Sequence, residues 1–340
     1  MNCPQLGKGR RMFSITSKTI LDLSRNFMES RILLTGAELG LFDVLASEPL
    51  SAGALANKMN GNLRALTILL DALSAMQFLV KEGGKYFCPP PLSVLLSKNN
   101  PESILPMVHH LAHVWHRWSK LTDLIKNDED PGKLAPSKGE DEMRAFIGAM
   151  HAIASRLAPR VVAAVNPGSS RFLLDVGGAS GTYTLAFLRA VPQMRATLFD
   201  RPEVIPIARE RLEEGGVLDR VALAGGDFYR DEFPPGHDLA FVSAIIHQNS
   251  PEQNFDLYRK GFRALVPGGR IVIRDHILEP DRTQPRDGAI FAVNMLVGTS
   301  GGNTYTYEEV HSGLEQAGFT RIRLLQKGEQ MDGLVEGFKP

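Results

Sequence analysis

The sequence predicts an α/β protein in which a mainly helical amino-terminal part precedes a parallel, doubly wound sheet that ends in an antiparallel hairpin. Residues 14–126 repeat apolar positions at helical spacing. After residue 171, short β-rich runs alternate with helical segments, which indicates parallel strands joined by crossover helices. The last two runs, 319–326 and 331–339, are joined by a short link, so they can pair as a hairpin at the sheet edge.

The amino-terminal part shows two helices followed by a hairpin. The segment 50–59 begins near Ser51, a suitable N-cap, and the segment 62–80 is apolar nearly all the way round. Two glycines in the middle of 81–89 predict a tight turn. This order is a winged-helix pattern, which many DNA-binding proteins use. However, Arg64 is the only basic residue of the helix at 62–80, so we predict that this helix packs against a second copy of the chain.

Changes of composition along the chain predict three regions. We expect a winged-helix-like dimerisation domain at 14–110, connecting helices at 111–165 and a ligand-binding α/β domain at 166–340. Residues 126–141 are polar and rich in Pro, Gly and charge, which predicts a loop between two of the connecting helices.

Bulk composition excludes several classes of protein. The 38 basic and 38 acidic residues balance, so there is no surplus of positive charge for nucleic acid. No apolar stretch approaches the ~20 residues of a membrane span. The basic segment 1–13 lacks the apolar core of a signal peptide. Cys3 and Cys88 are the only cysteines, which provides no disulfide framework and favours a reducing, cytoplasmic setting.

A glycine-rich turn follows the first β-rich run of the α/β part. Gly177, Gly178 and Gly181 stand where a strand turns into a helix, and we expect the backbone there to approach a ligand closely. The amides at the start of the next helix would face that ligand, as in nucleotide sites. An NAD-dependent oxidoreductase is an alternative, but the spacing is Gly-x-Ala-x-Gly and departs from GxGxxG.

Three acids occur at the ends of successive predicted strands. Asp175 precedes the glycines, Asp200 ends the next run 25 residues later, and Asp227 follows the third. The carboxyl ends of parallel strands share one edge of a sheet, so these acids predict a nucleotide-type cofactor site with Asp200 on a ribose. Phe228, next to Asp227, can lie against an adenine.

Several motifs resemble a known family. They are "LLDVGGASG", "LFDRPEV", "GGDFY", "LVPGGRIVIRD" and "YTYEEVHSGLEQAGF", together with "RALTILLDALSAMQFLVKEGGKYFCPPPLS" in the amino-terminal part. They are similar to class I S-adenosylmethionine (SAM)-dependent O-methyltransferases of the plant caffeic-acid/flavonoid and bacterial natural-product type. The resemblance implies a Rossmann-like SAM-binding sheet, a homodimer formed through the amino-terminal domain, and methyl transfer to a hydroxyl of a small aromatic or polyketide-like molecule.

The resemblance also implies a set of cofactor-binding residues. They are Asp175, Gly177, Gly178, Gly181, Asp200, Arg201, Asp227, Phe228 and Ser243. The glycines would line the methionyl part of SAM, with Asp175 supporting their loop. Ser243 falls where plant members often have a lysine, and Arg201 replaces a usual leucine beside the adenine.

The family's catalytic histidine corresponds to His247, which we expect at the end of an apolar strand. Asp275, 28 residues later at the end of the next strand, corresponds to the acid that orients this histidine. Two departures leave a non-catalytic pocket histidine as the alternative. The family commonly has a tryptophan two residues after the histidine, where this chain has Asn249, and Thr304 replaces a second acid.

Further residues correspond to positions that line the acceptor pocket in relatives. They are Met150, Met295 and Thr299. We expect His151, next to Met150, to face the same pocket, and Trp115 either to face the acceptor or to pack between domains. His109, His113 and His116 share a helical face, a spacing that can bind zinc, but no acid or cysteine cluster accompanies them and we predict no metal site.

The motifs leave other functions open. The same scaffold supports C- or N-methylation, or a SAM-dependent decarboxylation or hydroxylation. A ligand-sensing winged-helix regulator is the alternative outside the enzymes, and the apolar helix at 62–80 argues against it.

Overall fold

A computed structural model describes residues 15–98, 100, 102–127 and 140–340 of the chain. Cys3, the basic segment 1–13 and most of the predicted loop at 126–141 lie outside the described residues. The chain divides between residues 112 and 113 into two compact units. None of the helices in the described ranges is long and apolar enough to cross a membrane.

The amino-terminal unit contains five helices and three short strands in its described residues. The helices are α1 (Ser17–Glu38), α2 (Leu41–Ser47), α3 (Ala52–Met59), α4 (Leu63–Ala75) and α5 (Pro90–Leu96). The strands are β1 (Leu50–Ser51), β2 (Val80–Glu82) and β3 (Lys85–Phe87), which pair antiparallel in the order β1-β3-β2. The predicted hairpin is therefore present, and the Ser51 hydroxyl caps α3 by accepting the Ala54 amide at 3.2 Å.

Helix α4 differs from its prediction in length and burial. It ends at Ala75, and the chain turns before Val80 begins the hairpin. Leu66, Leu70 and Leu73 are buried, but Leu63 and Ile68 are 53% and 55% exposed, so one face is apolar and uncovered in the single chain.

Three connecting helices precede the sheet. They are α6 (Leu105–Trp118), α7 (Leu121–Asn127) and α8 (Glu140–Val165). Within the second unit, the Trp118 indole donates to the Asn294 side chain at 2.9 Å.

The second unit is built on a seven-stranded sheet. Its strands are β4 (Phe172–Val176), β5 (Arg195–Asp200), β6 (Val221–Gly225), β7 (His237–Ser243), β8 (Leu265–Asp275), β11 (Thr320–Gln326) and β12 (Gly333–Phe338). The order is β11-β12-β8-β7-β4-β5-β6. The five strands from β8 to β6 are parallel, and β12 pairs antiparallel with both β8 and β11. The predicted parallel sheet with an antiparallel hairpin is confirmed.

Helices cover both faces of this sheet. They are α8, α9 (Thr182–Ala190), α10 (Ile205–Glu214), α11 (Pro251–Ala264), α12 (Arg286–Leu296) and α13 (Tyr307–Gln316). Side chains alternate along β7: Leu239 and Phe241 join the core beneath α8 and α9, while Ala240 and Val242 join the core beneath α11 and α13. A short parallel pair, β9 (Ile277–Leu278) with β10 (Tyr305–Thr306), follows β8. This arrangement leaves the carboxyl ends of the strands at one edge, where parallel α/β sheets bind ligands.

Candidate active site

The glycine turn lies between β4 and α9, as expected, but packing explains its glycines better than ligand approach. Gly177 and Gly181 have φ of 65° and 74°, which favours glycine. A Cβ at Gly177 would lie 2.5 Å from Ile245, and one at Gly178 would lie 2.6 Å from Leu198. The missing side chains thus face the protein's own core, and any ligand would meet the other side of the turn.

Asp175 is fully buried beneath this turn. Its carboxylate accepts a hydrogen bond from the Thr184 hydroxyl of α9 at 2.6 Å. Burial raises the pKa of Asp175 to about 6, although the Thr184 bond opposes the shift. Asp175 therefore joins β4 to the first turns of α9, which agrees with a role in supporting the loop.

Asp200 is the last residue of β5 and bridges the neighbouring turns. One carboxylate oxygen accepts the Ala179 amide and the other accepts the Arg201 amide, both at 2.7 Å. Burial raises the pKa of Asp200, and the two amides oppose that shift. Each oxygen keeps a further lone pair, so a fixed carboxylate beside the glycine turn fits the ribose hydroxyls of SAM.

Asp227 and Phe228 lie in the loop after β6. The Asp227 carboxylate accepts the Tyr229 amide at 2.9 Å, and Phe228 packs partly against the core. The rings of Phe228 and Tyr229 are 4.5 Å apart. Arg201 is half exposed; its guanidinium pairs with Glu203 at 3.2 Å and donates to the Met143 sulfur of α8 at 3.4 Å, so it joins its loop to α8.

The strand expected to run into His247 ends four residues earlier. β7 stops at Ser243, Ala244 takes a left-handed conformation with φ of 57°, and a single 3-10 turn covers Ile246–Gln248. This bend carries the imidazole to the sheet edge above β8. His247 is 9% exposed, so it is nearly buried.

His247 and Asp275 meet at that edge. The Nδ1 atom of His247 lies 2.9 Å from both carboxylate oxygens of Asp275, which is 1% exposed. Burial alone would raise the pKa of Asp275, but the charge and hydrogen bond of His247 lower it below its ordinary value. A carboxylate only accepts hydrogen bonds, so Nδ1 of His247 is the donor in this pair. In the uncharged form of the ring, Nε2 is then the nitrogen that can accept a proton.

Two aromatic neighbours of this pair were missed in the sequence. Phe291 of α12 packs edge-on against His247, with ring centroids 4.9 Å apart, and lies 5.1 Å from the ring of His276. The His276 amide donates to Asp275 at 2.8 Å. Phe291 lies 44 residues after His247, and no local motif marks it.

The two departures from the family pattern are structural features in their own right. Asn249 is fully buried, donates to Asn254 at 3.0 Å and accepts the Tyr229 hydroxyl at 2.7 Å. Thr304 is also fully buried, and its hydroxyl donates to the Gly288 carbonyl at 3.2 Å.

The predicted acceptor residues separate into two groups. Met295 is buried in α12, and the Thr299 hydroxyl donates to the Met295 carbonyl at 2.8 Å. The loop that contains Thr299 is joined to His247, because the Asn303 amide donates to the His247 carbonyl at 2.9 Å. His151 instead lies between Thr182, at 2.8 Å, and Arg211, at 2.7 Å, where burial and the Arg211 charge lower its pKa to about 4.

Met150 neighbours His151 on α8 and is half-buried, as is Trp115 on α6. The part of the chain that the structure describes contains no cluster of three or more His, Cys, Asp or Glu able to hold a metal ion.

Comparisons with known proteins identify the family. The O-methyltransferase domain family matches residues 134–320, and the O-methyltransferase dimerisation domain family matches residues 21–99. The chain is 31% identical over 331 residues to the tetracenomycin polyketide synthesis 8-O-methyltransferase of Streptomyces glaucescens, covering 94% of this chain and 96% of that protein. It is 28% identical to the 3-hydroxy-5-methyl-1-naphthoate 3-O-methyltransferase of Streptomyces sahachiroi, covering 94% of each.

A solved structure, of the mitomycin 7-O-methyltransferase, is 25% identical, with a TM-score of 0.82 over 95% of this chain and 97% of that one. The chain therefore belongs to the SAM-dependent O-methyltransferase family. It is an enzyme whose cofactor is SAM, and it carries that family's dimerisation domain.

Proposed function

We propose that this enzyme transfers a methyl group from SAM to a hydroxyl of a small aromatic or polyketide-like acceptor, with His247 as general base. The observation that carries the proposal is the buried His247–Asp275 pair at 2.9 Å, at the carboxyl edge of the sheet. When bound, SAM supplies a methyl group on a sulfonium. We assign Asp200 to the ribose, Asp227 and Phe228 to the adenine, and the glycine turn to the methionyl part.

A base is useful because a phenol is a poor nucleophile until it loses its proton. The pKa values of a free phenol and a free imidazole differ by about 3.5, or about 5 kcal/mol. Removal of the proton is therefore easiest when it accompanies attack on the methyl group and the new imidazolium lies beside an anion. Asp275 is that anion. Because Nδ1 of His247 contacts Asp275, Nε2 lies on the side of the ring that points away from this carboxylate.

The acceptor class is supported by the named relatives and by local chemistry. The two Streptomyces relatives act, by their names, on a polyketide and on a naphthoate. In this chain, Phe291 and Met295 present flat and adaptable apolar surfaces on the helix that packs beside His247. Holding the hydroxyl in line with the methyl group would supply most of the rate.

The test is an acceptor screen with SAM labelled in its methyl group. Hydroxylated naphthoates and polycyclic phenols are incubated with the enzyme, and mass spectrometry locates the new methyl. Matched acceptors with the same hydroxyl already methylated serve as controls. We expect label on oxygen in the free phenols and none in the blocked ones. Label on carbon or nitrogen would contradict the proposal and favour the alternative reactions of this scaffold.

We also propose that the enzyme is a homodimer through its amino-terminal unit. Helices α1 and α4 leave Ile20, Leu23, Leu63 and Ile68 more than half exposed, and apolar surface of this kind marks an association site. Light scattering after size exclusion is expected to give twice the chain mass. The double substitution of Leu63→Glu and Ile68→Glu should shift that mass toward the monomer, whereas Lys58→Glu on neighbouring α3 should not.

A further inference from the structure

The side chain of Arg274 is buried, and none of the described residues provides a negative charge that pairs with its guanidinium. It is 4% exposed, and its Nη1 donates to the Ser243 hydroxyl at 3.1 Å. Its guanidinium carbon lies 5.2 Å from the centroid of the Tyr183 ring. Its Nε is buried without a hydrogen-bond partner, and no carboxylate of the described residues forms an ion pair with it.

The position of Arg274 is at the glycine turn. Val176 pairs with Val242 across β4 and β7, so Ser243 lies beside the start of the turn at Gly177. Ser243 in turn pairs with Arg274 across β7 and β8. Tyr183 belongs to the first turn of α9, two residues after Gly181, so the guanidinium is enclosed by the strands and the helix that frame the turn.

Arg270, on the same strand, has a buried carboxylate as the partner of its charge. Arg270 pairs with the buried Glu336 at 2.7 Å and also donates to the carbonyls of Val165 and Asn166. Among the described residues, the contacts of Arg274 are instead the neutral Ser243 hydroxyl and the Tyr183 ring. The nearby Asp332 accepts instead from Gln326 at 3.2 Å and lies 4.0 Å from Arg160. A buried charge without a counterion is costly, so a bound anion is the expected partner.

We propose that Arg274 binds the carboxylate of the methionyl part of SAM, with Ser243 holding the guanidinium in place. This inference rests on the proposed placement of SAM over the glycine turn. Ser243 stands where plant members of the family often have a lysine, and Arg274 delivers a cation to the same corner from the adjacent strand. The buried Tyr183 hydroxyl lies beside Ser243 and would be a second donor at this corner.

The test compares SAM with decarboxylated SAM, which lacks only this carboxylate. Calorimetric affinities are measured for the wild type, for Arg274→Met and for Arg274→Lys, with thermal unfolding as the check on folding. We expect the wild type to bind SAM about 10- to 100-fold more tightly than decarboxylated SAM, as for a hydrogen bond between charged groups. Arg274→Met should lose that preference and bind decarboxylated SAM as the wild type does, and Arg274→Lys should keep part of it.

Three outcomes would contradict the proposed contact between Arg274 and the carboxylate, and one of them would also contradict the placement of SAM. If Arg274→Met weakens both ligands equally, or neither, the carboxylate contact is wrong while the proposed function stands. Equal affinity of the wild type for the two ligands overturns the contact even if the variants do not fold. A wild type that binds neither ligand overturns the proposed placement of SAM as well.

Discussion

The two halves of the sheet edge use carboxylates in opposite ways. On the β4–β5 half, Asp175 and Asp200 accept hydrogen bonds from a hydroxyl and from backbone amides, and burial raises the pKa of both. On the β8 half, Asp275 directs both oxygens to an imidazole, which lowers its pKa. In the proposed function, the acids of the first half fix loops around SAM, and the acid of the second half sets the proton position on His247. We call the β4–β5 half the cofactor half and the β8 half the acceptor half, after these proposed roles. The comparison predicts that substitutions in the two halves fail in different ways.

Replacement of His247 by alanine is expected to have the largest effect. Loss of a general base lowers kcat by about 10²- to 10⁴-fold, while the affinity for SAM should stay unchanged. Steady-state kinetics and calorimetry measure the two quantities on the same variant. His237→Ala is a matched control, because this other buried histidine begins β7, the strand that precedes the bend at His247, and bonds to Thr197 away from the carboxyl edge of the sheet. A small drop in kcat would indicate a non-catalytic pocket histidine.

Replacement of Asp175 by asparagine tests the cofactor half through the pH dependence of stability. Since burial raises the folded pKa from 3.8 to about 6, the folded state favours the protonated carboxyl. That contribution is fully present below about pH 4 and is lost as the pH rises through about 6, a change of about 3 kcal/mol. The unfolding free energy of the wild type, minus that of Asp175→Asn, should therefore fall by this amount from well below pH 4 to well above pH 6.

Urea unfolding at a series of pH values measures this difference. Thr184→Val removes the hydrogen bond that opposes the shift, so its stability should fall further over the same range. Parallel pH profiles for the wild type and Asp175→Asn would show that Asp175 does not titrate as proposed.

Replacement of Asp275 by asparagine tests the acceptor half with a smaller change. The imidazolium formed during proton transfer would lose its anionic neighbour, and hydrogen bonds to charged groups contribute about 1.5–3 kcal/mol. We expect kcat to fall about 10- to 100-fold with SAM affinity unchanged. Asp238→Asn is the control, because Asp238 at the other end of β7 only accepts the amides of Arg171 and Phe172 and should affect stability alone. An unchanged kcat in Asp275→Asn would show that Asp275 does not assist turnover through His247, and the proposed difference between the two halves would be wrong.

These features were predictable from the sequence to different degrees. The parallel sheet, its terminal hairpin and the acids at the strand ends follow from local patterns, because alternation and turn residues are local properties. The left-handed Ala244 that bends the chain before His247 was not predicted, since alanine gives no sign of a positive φ. Phe291 could not be predicted either. Its contact with His247 depends on how α12 packs on the sheet edge, which no spacing in the sequence encodes.

The environment of Asn249 could not be predicted from the sequence either. The sequence showed only that a usual tryptophan is absent. The structure replaces it with a buried polar network, in which Asn249 accepts from Tyr229 and donates to Asn254. A buried amide is satisfied only by partners of correct geometry, and those partners come from elements that are distant in sequence.

The smallest expected effect comes from the residue that joins the two halves. Tyr229 lies two residues after Asp227, which we assign to the adenine, and its hydroxyl donates at 2.7 Å to the fully buried Asn249, two residues after His247. Tyr229→Phe leaves the side-chain Oδ1 of Asn249 without this donor, which should lower the unfolding free energy by about 1–2 kcal/mol. If the two halves are coupled through this bond, kcat and SAM affinity should both decrease slightly, unlike in the variants of His247 and Asp275.

Tyr307→Phe is the control, since its hydroxyl makes a longer bond of 3.3 Å to the Ile322 carbonyl near the hairpin. A change in stability with both functional quantities unaltered would show that Tyr229 holds the loop but does not connect the cofactor and acceptor halves.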